Sequence, residues 1–88
     1  MSRIMADTAA DTDFLVYSTT VCPYCVAVKR FLTRRNLSFT EINFDHDPSA
    51  RAEVVAETGH RTVPVIIDIR TDQPVFVGGF DETQRYLA

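Results

Sequence analysis

The only two cysteines of this 88-residue chain, Cys22 and Cys25, stand three positions apart with Pro23 and Tyr24 between them. Thiols at that spacing suit disulfide exchange, half of a metal site, or no chemistry at all when both are simply small buried side chains. Pro23 favours the first. Its fixed φ suits the first helical position, so Cys22 would stand at a helix N-terminus, where unpaired N–H groups and the positive end of the dipole favour a thiolate. Cys22 is then the expected nucleophile. Cys25, one turn further in on the inward face, is placed to attack a mixed disulfide on Cys22 while shielded from solvent, and is the expected resolving thiol. A closed zinc site needs further ligands, and beside the thiols the chain offers only His46 and His60, at spacings that fit no common zinc motif. No metal is assigned.

Such a pair works only if a strand and a helix deliver it. Phe14-Leu15-Val16-Tyr17, bounded by Asp13 and Ser18, is the uninterrupted apolar run of a strand buried on both faces. A helix from Pro23 to about Arg35 follows, with Cys25, Val28 and Leu32 inward, Arg30, Thr33 and Arg34 outward, and Asn36 suited to the left-handed conformation that ends it. Phe39, Ile42 and Phe44 with Thr40 and Asn43 predict a more polar strand at a sheet edge. Asp47, Pro48 and Gly59 mark the cap, first position and end of a second helix, whose inward face is Ala50, Val54 and Val55. Val65 to Ile69 and Pro74 to Val77, joined by the polar turn Arg70 to Gln73, predict a hairpin, and Asp81 with Gln84 has the spacing of a capping box opening a last helix. The order βαβαββα implies an α/β fold, one mixed four-stranded sheet with flanking helices, over residues 13–88. Residues 1–12, rich in Ala, Asp and Thr, are expected to form a disordered N-terminal extension.

Composition bounds the function from the other side. A formal charge of −3 argues against a nucleic-acid partner, which needs a basic surface. The N-terminus lacks the basic-then-apolar pattern of a secretory signal and no apolar run is long enough for a membrane span, so a reducing, cytoplasmic setting is expected, with no membrane partner. Phe39, Phe44 and Phe76 are read as core, Phe80 as core or site, and His46 and His60 as surface residues without a role.

Two further segments have a bland and a functional meaning. In Arg61-Thr62-Val63-Pro64, the proline either occupies a permitted strand-leading position or forms a cis bond that frees the Val63 backbone to pair with an extended thiol substrate. Gly78-Gly79-Phe80-Asp81 is either a turn needing positive φ, or a place of close backbone approach where free N–H groups hold a carboxylate and Asp81 meets an ammonium. A zwitterionic ligand would suit the second meaning.

Together Cys22-Pro23-Tyr24-Cys25, Thr62-Val63-Pro64 and Gly78-Gly79-Phe80-Asp81 resemble the three signature segments of dithiol glutaredoxins, in order and at the usual separations, over the chain from about Phe14 to its end. The resemblance implies a thioredoxin fold, a cis Val63-Pro64 bond, and a groove holding glutathione or a similar low-molecular-weight thiol as cosubstrate, its sulfur near Cys22. On that reading Tyr24 and Thr62-Val63-Pro64 line the groove, Val63 pairs with the cysteinyl backbone, Gly79, Phe80 and Asp81 hold the γ-glutamyl end, and Arg61 either meets the glycine carboxylate or is a solvated cation. Partners would be glutathionylated or disulfide-containing proteins, with no tightly bound cofactor. Thr19 departs from the pattern, since many glutaredoxins carry a Lys there. Its loss removes a charge-assisted contact of about 1.5–3 kcal/mol. Thr19 and the Arg-Thr-Val-Pro stretch are also similar to mycoredoxins, which serve mycothiol, although their active site usually reads Cys-Gly-Tyr-Cys. Two alternatives accompany this reading: an NrdH-like redoxin reduced by a flavin-dependent reductase, against which Asp81 stands where those proteins carry Arg, and an iron-sulfur cluster carrier, against which Pro23 stands.

Overall fold

Phe14-Leu15-Val16-Tyr17 becomes the central strand of the computed structural model, which describes residues 2–88. Chain order runs α1 (Arg3–Asp7), β1 (Phe14–Ser18), α2 (Pro23–Arg34), β2 (Phe39–Asn43), α3 (Pro48–Thr58), β3 (Val65–Asp68), β4 (Val75–Gly78) and α4 (Phe80–Tyr86). The four strands form one sheet in the order β2-β1-β3-β4, so β1 and β3 are interior, which is why both are buried throughout. β1 runs parallel to β2, with Phe14 opposite Phe39, and antiparallel to β3, with Val16 opposite Ile66. The expected mixed sheet with flanking helices is present, β2 lies at an edge, and the architecture is the thioredoxin fold.

Alternation along β1 divides the core into two layers. Phe14 and Val16 join Val28, Leu32 and Ile66 beneath α2 and α4, while Leu15 and Tyr17 join Ile4, Phe44, Ala50, Val54, Val65 and Ile67 beneath α1 and α3. Each fully buried aliphatic side chain contributes about 1.5–3 kcal/mol of favourable transfer. Asn36, at φ 59°, turns the chain back after α2, and Asp47 and Gly59 cap α3 as the spacing predicts.

Three expectations need correction. The segment 1–12, read as a disordered extension, contains α1: Ile4 is buried against the α3 layer, and the Glu57 carboxylate of α3 accepts from the backbone N–H groups of Arg3 and Ile4 at 2.6 and 3.2 Å. Composition hid this because the helix is held by tertiary partners instead of its own sequence. The cap of α4 is Gly79, not Asp81. The Glu82 carboxylate reaches back to accept from the Gly79 N–H at 2.7 Å, so the cap lies two residues earlier than the Asp81–Gln84 spacing suggested and is made by this one bond, since glycine has no side chain to return it. Phe76 is 45% exposed, because β4 is the other edge strand and a register shift opposite Ile66 and Ile67 interrupts its alternation.

Candidate active site

Cys22 is the N-cap residue of α2, extended at φ −151° and ψ 97°, with Pro23 at the first helical position. Its Sγ accepts from the Cys25 N–H at 3.1 Å, so one of the unpaired donors of the helix start is aimed at the sulfur. The structure holds the pair oxidised as a Cys22–Cys25 disulfide with Cα atoms 5.2 Å apart, a separation such a bond spans without backbone movement. Cys25 is 1% exposed and Cys22 9%, so of the two residues Cys22 lies nearer the surface.

The loop that carries Cys22 is tied to the end of β2. The Thr20 N–H donates to Asp45 at 2.8 Å, and the Asn43 amide donates to the Thr20 hydroxyl at 3.3 Å. Beneath the α2 side of the sheet, the buried Ser18 hydroxyl donates to Glu41 at 2.6 Å, and Lys29 reaches the same carboxylate at 3.0 Å. Burial opposes ionisation of Glu41, but the Ser18 and Lys29 bonds outweigh it and hold the carboxyl below its ordinary range.

Beside this helix start lies a cleft of about 200 Å³ lined by Tyr24, His60, Thr62, Val63, Pro64, Gly79, Phe80, Asp81 and Glu82. Three segments far apart in sequence meet there. The Val63-Pro64 bond is cis. Gly78, at φ 121°, makes the bend from β4 into α4, and a Cβ on it would lie 2.9 Å from the Glu82 Cγ, so only glycine fits. The backbone bond from Gly79 holds the Glu82 carboxyl below its usual range. Phe80 serves both core and cleft: its ring packs edge-on to Phe31 at 6.0 Å and beside Tyr24 at 6.4 Å, while Tyr24 remains 65% exposed.

The family model for glutaredoxin matches residues 14–70, which include Cys22, Cys25 and the Thr62-Val63-Pro64 segment. The chain belongs to the glutaredoxin family. As a dithiol glutaredoxin it is a thiol-disulfide oxidoreductase, with the Cys22–Cys25 pair at its redox centre. It is 40% identical over 68 residues to a glutaredoxin of Pseudomonas aeruginosa, covering 77% of this chain and 76% of that one. The glutaredoxin-like protein NrdH of Lactococcus lactis is 43% identical over 51 residues, a match covering 58% of this chain and 69% of the relative. A buckwheat glutaredoxin, solved as a complex with glutathione, shares the fold at a TM-score of 0.78 and 22% identity, covering 97% of this chain and 76% of that one.

Against the sequence reading, this glutaredoxin brings Tyr24, Thr62, Val63, Pro64, Gly79, Phe80 and Asp81 together, but not Arg61. Arg61 is exposed and outside the cleft lining, its carbonyl accepting from Arg51 at 3.5 Å. His60, given no role from sequence, is a cleft residue instead. Its Nε2 lies 3.0 Å from the Thr62 hydroxyl, and its ring packs on Phe76 at 5.6 Å. Its place just ahead of Arg61-Thr62-Val63-Pro64 was the available signal. Glu82 was also missed, because its part is to order the Gly79 backbone. Among the described residues no helix is long and apolar enough to cross a membrane, and no three His, Cys, Asp or Glu side chains lie close enough to hold a metal ion.

Proposed function

We propose that this glutaredoxin reduces mixed disulfides between proteins and glutathione or a similar small thiol, and also protein disulfides, in a reducing compartment such as the cytoplasm. The observation that carries the reading is the cleft, in which residues of three segments, Tyr24, His60 with Thr62-Val63-Pro64, and Gly79 to Glu82, converge beside the helix start that Cys22 caps. It is smaller than the roughly 300 Å³ at the low end of enclosed small-molecule sites, so the ligand would lie along it with its sulfur at Cys22. The solved complex of the buckwheat relative with glutathione supports the same choice of thiol.

In the monothiol route, the Cys22 thiolate attacks the sulfur of the small thiol in the mixed disulfide. That bond breaks, the client leaves as a thiolate that takes up a proton, and the small thiol stays bonded to Cys22. A second small thiol, as its thiolate, attacks the first, giving the small-molecule disulfide and restoring the Cys22 thiolate. Over the cycle the mixed disulfide and one free small thiol become the client thiol and the small-molecule disulfide, and the proton lost by the incoming thiol balances the one the client takes up. The Val63 backbone would pair with the extended ligand, Asp81 with its ammonium, and the Phe80 and Asp81 N–H groups at the start of α4 with its carboxylate, the Gly79 N–H being taken by Glu82; these pairings would enforce which sulfur is struck. In the dithiol route, Cys22 is joined to the client and Cys25 expels it, leaving the Cys22–Cys25 disulfide.

A glutathionylated peptide tests both routes in two coupled systems, glutathione with its reductase and a thioredoxin reductase alone. Cys22→Ser abolishes turnover in both, whereas Cys25→Ser retains turnover with glutathione because the monothiol route never uses that thiol. Turnover only with thioredoxin reductase, lost in Cys25→Ser, would transfer the protein to the NrdH-like group that its Lactococcus lactis relative represents.

A further inference from the structure

The outward face of α2 carries a basic stripe that the exchange chemistry does not use. Between Lys29 and Arg35 the chain places four of its nine Lys and Arg residues and no Asp or Glu, on a protein whose formal charge is −3. Two of the four are occupied: Lys29 is bonded to Glu41, and Arg35 lies over the Phe31 ring at 4.5 Å and donates to the Leu87 carbonyl at 3.3 Å. Arg30 and Arg34 are exposed, and among the described residues neither has an ion-pair partner. They are one helical turn apart, a like-charge spacing that works against the helix. The helix dipole favours cations within the last turn, which accounts for Arg34 but not for Arg30.

Their direction matters more than their number. With Cys25, Val28 and Leu32 turned inward, the helical period puts Pro23, Arg30 and Arg34 on the opposite side, with exposed Val26 flanking them. The stripe therefore starts at the residue beside Cys22 and reaches Arg30 about 10 Å and Arg34 about 16 Å along the axis. A shallow groove lined by Lys29, Arg30, Thr33 and Arg34 marks its far end. An extended peptide whose cysteine is engaged at Cys22 covers those distances in about three to five residues.

We propose that this stripe is a docking surface for client segments that carry acidic residues about three to five positions from the reactive cysteine. The inference rests on the reading of the site as a reductase of protein mixed disulfides and adds the class of client. Docking begins at the redox centre itself, which favours a protein client over a nucleic acid or a lipid surface as the source of the negative charge. Exposed Val26 supplies apolar contact between the redox centre and Arg30.

The test compares two glutathionylated peptides that differ only in bearing Asp/Glu or Asn/Gln at those positions. The wild-type chain, Arg30→Gln/Arg34→Gln and Arg30→Lys/Arg34→Lys are assayed, with the mixed disulfide of glutathione and 2-mercaptoethanol as a substrate too small to reach the stripe. The wild type should prefer the acidic peptide by about three- to tenfold in kcat/KM at low salt, the effect of two screened surface pairs, through KM and not kcat. The preference should fall toward one in the Gln variant and at high salt, and return in the Lys variant. Equal turnover of the two peptides by the wild type, or a preference that the Gln variant keeps, would overturn the proposal. So would binding of the wild type, but not the Gln variant, to phosphatidylserine vesicles or RNA without any peptide preference. Failure on the small mixed disulfide in every variant would instead overturn the reductase reading on which the proposal stands.

Discussion

Two short helices close this domain at its ends, α1 on the α3 side of the sheet and α4 on the α2 side, and each is fastened by a tyrosine, an aspartate and an arginine. In the first cluster the Tyr17 hydroxyl of β1 donates to Asp7 at 2.7 Å, and Arg3 bonds the same Asp7 oxygen at 2.9 Å and Asp47 at 2.8 Å. In the second the roles of strand and helix are exchanged: Asp68 of β3 accepts from Tyr86 of α4 at 2.6 Å, and Arg70 bonds both Asp68 oxygens at 2.9 and 3.0 Å while lying over the Phe14 ring at 5.0 Å. Neither helix buries enough to hold itself, since Ile4 is the one buried residue of α1 and Thr83 of α4. The clusters differ in where the tyrosine sits. Tyr17 is fully buried, Tyr86 is 43% exposed, and an unmet hydroxyl costs much more in the first place than in the second. Burial and the neighbouring Asp7 drive the Tyr17 pKa far upward, so it remains a donor at any ordinary pH.

The comparison breaks most visibly at Asp7. Asp7→Ala leaves the buried Tyr17 hydroxyl without its acceptor and takes one carboxylate from Arg3, so stability should fall by about 1–3 kcal/mol. For a domain of this size that lowers Tm by about 4–8 °C per kcal/mol. Disulfide exchange at temperatures where the variant is folded should be unchanged, because the cleft and Cys22 belong to other elements. Thermal melts and the coupled peptide assay, run on one preparation, check both halves. A melting curve that overlays the wild type would mean that α1 is not held by this cluster.

How far the sequence revealed these arrangements depends on where each element gets its stability. β1 was legible because an interior strand must be apolar on both faces, and α2 because Cys25, Val28 and Leu32 repeat at the helical period. The redox pair was legible for the same reason: Pro23 declares a helix start, and a helix start is what makes a thiol at that place reactive. α1 was not legible. Its caps include Glu57, more than fifty residues away in sequence, and the acceptor for Tyr17 is an Asp that reads as one more polar residue in a polar segment. The cleft lining takes in His60 and not Arg61, a difference the sequence does not show because the neighbouring residues locate the cleft but not which of two adjacent side chains turns toward it. Glu82 was overlooked because a capping carboxylate one helical turn from a glycine resembles any exposed glutamate.

The smaller effect belongs to the second cluster and depends on pH. Burial alone would raise the Asp68 pKa, but the bonds from Arg70 and Tyr86 prevail and hold it below the ordinary carboxylate range. A carboxyl depressed in the fold contributes stability that is present above its unfolded pKa of about 3.9 and is lost as pH falls through the lower folded value. Tyr86→Phe removes one of the groups responsible while leaving the bidentate Arg70 pair in place. Water can reach the vacated position, so at pH 7 the loss should be only about 0.5–1 kcal/mol. As Asp68 is protonated the charge-assisted part of that bond disappears, and the gap between wild type and Tyr86→Phe should narrow below about pH 4. Urea unfolding at neutral pH and at about pH 3 measures the two gaps directly. A difference that stays constant across that range would show that Tyr86 acts by packing α4 and not through the Asp68 charge.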